Sequence, residues 1–127
     1  MVIKFKEIID NIINEEADIG TYISDGGLWE VECFNRGERD IPHIHLKTPK
    51  GKYSAPRLDK AEYFIHDNKR YIMNSKEKKD FGNFMSSKNR LDNTITNWQA
   101  CVKRWNLTQP LNKRILNNIS MPDYRLL

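Results

Sequence analysis

The stretch Leu28-Trp29-Glu30-Val31-Glu32-Cys33-Phe34-Asn35, followed after a polar turn by Ile41-Pro42-His43-Ile44-His45-Leu46-Lys47, decides the fold. Both segments alternate apolar with polar residues, and successive side chains of a strand point to opposite faces. Trp29, Val31 and Cys33 therefore share one face, and Glu30 and Glu32 the other. Ile44 and Leu46 take the core side of the second strand, while His43 and His45 project together from the far side. Arg36-Gly37-Glu38-Arg39-Asp40 reads as the loop joining them, which predicts an antiparallel pair. With Phe34 opposite Ile41, Glu32 faces His43 and Glu30 faces His45.

Working outward, Asp25-Gly26-Gly27 marks a turn after a short strand near Gly20–Ser24. Thr48-Pro49-Lys50-Gly51 marks another, from which Lys52–Leu58 returns. Ala61–Ile65 and Tyr71–Met73 flank a hairpin tip at His66-Asp67-Asn68-Lys69. Towards the N-terminus, Phe5, Ile8, Ile9, Ile12 and Ile13 fall on one face of a 3.6-residue period and predict an amphipathic helix over 4–16. From Ser75 onward the pattern is again helical. Ser75 caps a helix through about Met85, and Ser87 caps a longer one over 88–105. In that longer helix Leu91, Ile95, Trp98, Val102 and Trp105 form a narrow apolar stripe. Pro110 ends it, and Leu111–Ile119 offers a short third helix. The expectation is a single α+β domain over 1–127. It has an N-terminal helix, an antiparallel β-meander of about five short strands, and two to three C-terminal helices packed on one face.

No apolar run approaches the roughly 18 residues of a membrane span, and the carboxylates of the first sixteen residues are unlike a signal peptide. Cys33 and Cys101 match no zinc-ligand spacing. These features point to a cytoplasmic protein with reduced thiols and no membrane partner. Cys33 reads as a buried small residue, and Cys101 as a boundary position on the helix. Ile, Asn and Lys, all encoded by AT-rich codons, number 14, 13 and 13 of the 127 residues. Such usage points to a low-GC bacterium or a phage, and it means that codon bias supplies part of the basic character.

Charge is unevenly distributed. Residues 1–68 hold 9 Lys/Arg against 13 Asp/Glu, a balance of −4, and residues 69–127 hold 12 against 4, a balance of +8. The two halves either neutralise each other within the fold or present a basic face to an anionic partner. Arg90, Lys103 and Arg104 on the far side of the long helix, extended by Lys113 and Arg114, are the candidate contacts. Trp98 and Trp105 lie on the apolar stripe and are expected in the core rather than as a stacking platform for bases.

The His-x-His strand supports three readings. Two imidazoles facing two carboxylates suit a first-row metal. They also suit acid–base chemistry. Ordinary cross-strand complementarity places the same polar pairs on a wetted face. No metal or cofactor is assigned. The glycines fit neither a P-loop nor a dinucleotide fingerprint, and no serine sits in a nucleophile elbow.

The run Asn35–Leu46, with its Pro42-His43-Ile44-His45 core, resembles the signature of domain-of-unknown-function family 4160. Ser75-Lys76-Glu77-Lys78-Lys79-Asp80 is similar to the start of that family's later helix, with the acidic residue displaced. The resemblance covers about residues 28–86, and the N-terminal helix and the Trp-bearing helix stand outside it. It implies a small accessory protein of toxin–antitoxin or mobile-element gene pairs, without an agreed enzymatic activity. The expected function is therefore non-enzymatic binding of nucleic acid, or of a nucleic-acid-handling protein such as a defence nuclease. The basic C-terminal half would make the contact. The competing expectation is a histidine-based hydrolase, with or without a metal, using His43 and His45 with Glu30 and Glu32.

Overall fold

The computed structural model describes residues 22–24, 29–32, 41–64, 71–115 and 118–127. The expected helix at 4–16, the loop at 36–40, Cys33 and the hairpin tip at 66–69 lie outside these residues. The architecture is α+β. Strands β1 (Tyr22–Ser24), β2 (Glu30–Glu32), β3 (His45–Lys47) and β4 (Tyr53–Ser54) form an antiparallel meander in the order β1-β2-β3-β4. Between β3 and β4 the chain turns where expected. Gly51 N–H donates to the Thr48 carbonyl at 2.9 Å, and Gly51 takes a φ of 76°, a left-handed value that glycine adopts without a Cβ penalty.

A fifth strand at Ala61–Ile65 is not formed by the described residues 61–64. That segment runs beside β4's continuation through a single bridge, Pro56 to Tyr63, and a bond from Phe64 N–H to the Ala55 carbonyl. Pro56 has no N–H to extend a ladder. The return leg at 71–73 carries no strand either, although Tyr71 N–H donates to the Tyr53 carbonyl at 2.9 Å.

The expected register needs correction by two residues. Glu32 stands opposite His45, Val31 opposite Leu46 and Glu30 opposite Lys47. This pairing sets two fully buried apolar residues, Val31 and Leu46, against each other. It also brings Lys47 Nζ within 4.0 Å of a Glu30 carboxylate oxygen. His43 lies beyond the β2 ladder and bridges to Arg57 instead.

Helix α1 spans Ser75–Ser86. Its cap is Asn74, one residue before the expected Ser75. Asn74 Oδ1 accepts the Glu77 N–H at 2.8 Å, and the Glu77 carboxylate accepts the Asn74 N–H at 3.0 Å, which satisfies two end donors reciprocally. Ser87 does not start the next helix; it is the C-cap of α1, its N–H donating to the Phe84 carbonyl.

Helix α2 spans Asn97–Thr108, so the expected helix over 88–105 begins nine residues late. Residues 88–96 form an arch closed by a Lys88–Thr96 bridge. Short polar side chains compete there with helical hydrogen bonds. Asn89 Oδ1 accepts the N–H groups of Leu91 and Asp92, each at 3.0 Å, and Asp92 accepts from Thr94. Thr96 then caps α2 reciprocally with Gln99. Leu91, expected on the apolar stripe, is 89% exposed at the tip of the arch. After Pro110 the described residues of the expected third helix at 111–119 form only a 3-10 turn over Leu111–Lys113, and a second such turn covers Tyr124–Leu126.

One core joins these elements. Val31, Ile44, Leu46 and Leu58 from the sheet region meet Phe81, Phe84 and Met85 of α1 and Trp98, Cys101 and Trp105 of α2. Cys101 is fully buried rather than at the boundary. Trp29 stacks on Phe84 with ring centroids 6.4 Å apart. The dipeptide Arg57-Leu58 ties the layers together. Trp98 Nε1–H donates to the Leu58 carbonyl at 3.0 Å, and the Tyr124 hydroxyl donates to the Arg57 carbonyl at 2.6 Å. Tyr124 is 1% exposed, its ring 4.8 Å from Phe81, and burial pushes its hydroxyl far above the ordinary phenol range.

Candidate binding groove

The His-x-His strand places its two imidazoles side by side, as alternation predicts, with ring centroids 5.3 Å apart. They do not share a wetted face. His43 is 2% exposed, with Phe64 at 4.2 Å and Trp105 at 5.8 Å between ring centroids. Its Nδ1–H donates to the Ile41 carbonyl at 2.8 Å, since a carbonyl can only accept. His45 is half-buried opposite Glu32. The expected square of two histidines and two glutamates therefore reduces to one facing pair, His45 and Glu32, with Glu30 turned to Lys47 instead. Among the described residues no group of three His, Cys, Asp or Glu side chains is arranged to hold a metal ion.

Arg57, beside this strand, is committed internally. Its guanidinium makes two bonds to Asp59, at 2.9 and 2.8 Å, and one to Glu62 at 3.4 Å. The hydrogen bond to Asp59 is the main reason its pKa is raised.

The basic residues divide between three places. Lys103 and Arg114 line one groove along α2, of about 470 Å³, whose apolar surface comes from Ile95, Val102, Leu107 and Ile119. Arg114 is aimed by its own backbone contact, its Nε–H donating to the Gln109 carbonyl at 2.9 Å. Lys113 joins Arg114 at an adjoining depression that also touches Asp59. Arg90 lies apart, with Lys88, at a separate depression over Trp29 and Phe84. Arg104 follows Lys103 by one residue, about 100° further round the helix, and is half-buried. The structure thus groups Lys103, Arg114 and Lys113, and it separates Arg90 and Arg104 from them.

Trp98 and Trp105 are buried in the core as expected, which leaves no ring of α2 free to stack on a base. The stripe on α2 is centred differently from the one read in the sequence. Its buried line is Trp98, Cys101 and Trp105, while Ile95 and Val102 are half-buried and border the groove. Counting Leu91 and Ile95 as helical rotates the apparent stripe towards Val102, and neither residue is in the helix. Leu107 falls off the expected stripe and Ile119 lies beyond the helix, so neither carries a sequence signal for the groove.

Comparison with protein-family models, curated proteins and solved structures finds no match. The expected resemblance of residues 28–86 to domain-of-unknown-function family 4160 is neither supported nor refuted by this result.

Proposed function

We propose that the protein is a small non-enzymatic binding protein that engages a nucleic-acid-handling protein through the groove on α2. A mobile-element or phage–host conflict setting, with a defence nuclease as target, is the form of this reading that the family resemblance favours. One observation carries it: the two exposed cations brought together, Lys103 and Arg114, flank an apolar surface instead of forming a continuous basic stripe. A nucleic-acid footprint calls for cations along the phosphates and exposed rings for unpaired bases. Here Leu107 stands exposed in the groove with the cations, and the tryptophans are internal. The hydrolase reading has weaker support, because His43 is packed behind Phe64 and Trp105.

The direct test is co-expression with the products of neighbouring genes. A stable complex that dissociates when Lys103→Glu and Arg114→Glu are combined supports the reading. Binding of a mixed-sequence duplex and a single strand at two salt concentrations tests the rival. If the duplex binds, log K falls with log salt by about 0.9 per phosphate contacted, and replacing Lys103 and Arg104 with Ala flattens the slope by about two. That result would make nucleic acid the target.

A further inference from the structure

We infer that the occupant of the α2 groove is an acidic amphipathic helix of the partner protein. This inference rests on the binding-protein reading and adds the chemistry of what is bound.

The shape of the groove selects a helix. Its residues on α2 recur three and four apart, as Trp98, Val102 and the pair Lys103–Leu107 do, so they run down one side of the helix. From Trp98 to Leu107 that side is about 14 Å long, at 1.5 Å per residue, which matches about two and a half turns of a second helix. An extended peptide gains affinity from main-chain hydrogen bonds to an open sheet edge. A helix surface has no such groups to offer, because its N–H and C=O groups are already paired along the axis. A helical occupant satisfies its own backbone and needs only side-chain packing.

The polar groups of the groove make the same point. The Gln99 Oε1 accepts the Thr96 N–H at 2.8 Å. Asn106 is occupied at both ends by residue 115, accepting the Ile115 N–H at 2.7 Å and donating to the Ile115 carbonyl at 3.1 Å. The Asn106 amide is thus satisfied within the chain, and the Gln99 oxygen is already engaged. Recognition is left to the apolar surface, with Leu107 51% exposed, and to charge.

Charge selects the sign. Lys103 and Arg114 line the groove, and among the described residues no carboxylate does. The nearby Asp92 carboxylate is engaged chiefly by Thr94, through its N–H at 3.1 Å and its hydroxyl at 2.5 Å. The Nε of Arg114 is held by Gln109, which leaves the far side of its guanidinium to face an incoming carboxylate. A second copy docked groove to groove would set these cations against themselves.

The test is selection from a displayed library of helical peptides against the full chain, followed by affinity measurements on synthesised winners. The expected winners carry apolar residues at i, i+3 or i+4, and i+7, with an excess of Asp and Glu. Their affinity should fall about tenfold or more with Val102→Asp, and again with Lys103→Glu plus Arg114→Glu, in variants whose thermal melts match the parent. Winners without an acidic excess, or winners indifferent to Val102→Asp, would overturn the inference. So would an empty selection. If the co-expressed complex still forms in either case, the binding-protein reading stands and only the helical occupant fails. Residues 4–16 of this chain combine an apolar stripe with Glu7, Asp10, Glu15 and Glu16. A rise in peptide affinity when Ile8 and Ile12 are both changed to Asp would make that segment the occupant and overturn the assignment to a partner.

Discussion

The Tyr71 hydroxyl donates to Glu77 Oε1 at 2.6 Å, and the same oxygen accepts the Asn74 N–H at 3.0 Å. One carboxylate thus closes the cap of α1 and holds the chain that leads into it. Glu77 is only 7% exposed. Burial works to raise its pKa, but the Tyr71 hydroxyl, the Asn74 N–H and the Lys50 charge together outweigh burial and hold it below the ordinary carboxylate range. The same hydrogen bond raises the Tyr71 hydroxyl.

Because folding depresses the Glu77 pKa, its stabilisation is complete above the unfolded-state value and is lost as pH falls through the folded-state value. Thermal melts taken between neutral pH and about pH 3 should show a loss of stability at the acid end. Glu77→Gln keeps the shape of the cap but cannot titrate, so its melting temperature should depend less steeply on acid. An unchanged acid dependence in that variant would show that other groups carry it.

Thr96→Ala gives a test of where α2 begins, through the sign of its effect. As an N-cap, Thr96 should cost about 1 kcal/mol when replaced by Ala. In the interior of a helix starting at Ser87 the same change would stabilise, since Ala is the best helix former. Leu91→Ala should fall within about 0.5 kcal/mol of the parent, as exposed positions do. Urea unfolding of the two variants decides the matter.

Trp98→Ala and Trp105→Ala should each cost about 3–5 kcal/mol in chemical denaturation. Trp98→Phe keeps most of the packing but leaves the Leu58 carbonyl without its donor, at a cost of about 1–3 kcal/mol. Variants that melt like the parent would place the rings outside the core.

His43→Ala should destabilise by about 2–4 kcal/mol, as large-to-small changes at buried sites do. His45→Ala, at a half-buried position, should cost less than about 1 kcal/mol. A catalytic pair would behave in the opposite way, each variant losing activity at unchanged stability. Guanidinium melts of both variants separate the two cases.

Tyr124→Phe removes one oxygen and strands the Arg57 carbonyl, which should cost about 1–3 kcal/mol. A neutral outcome in a calorimetric scan would mean that the hydroxyl contact contributes nothing net.

Much of this arrangement is legible in the residues. Alternation placed Val31 and Leu46 on the core face and set the two histidines side by side, because a strand has a period of two. The register lies two residues from the expected one, which preserves that parity. A glutamate still faces His45, but it is Glu32 rather than Glu30. The helix at 88–105 failed for a local reason. Asn89, Asp92 and Thr96 each bond to nearby main-chain N–H groups, and a hydrophobic period cannot register that competition. The cation pair at the groove was half legible. Lys103 and Arg114 were both candidates, but their meeting depends on how the chain folds back after Pro110. Tyr124 gave no signal, since its neighbours Pro122, Asp123 and Arg125 mark it as part of a polar tail.

At Arg57-Leu58 the two carbonyls accept from Tyr124 and Trp98, and the two N–H groups donate to the carbonyls of Glu62 and Pro42. All four groups at this dipeptide belong to the main chain. The junction itself therefore uses neither the Arg57 nor the Leu58 side chain, and a distant homologue could keep it with another core-filling residue at position 58 and another residue at position 57. Proline is the exception at both positions, because each N–H is already committed. Common descent would then be visible in the path of the backbone where it had vanished from the alphabet of side chains.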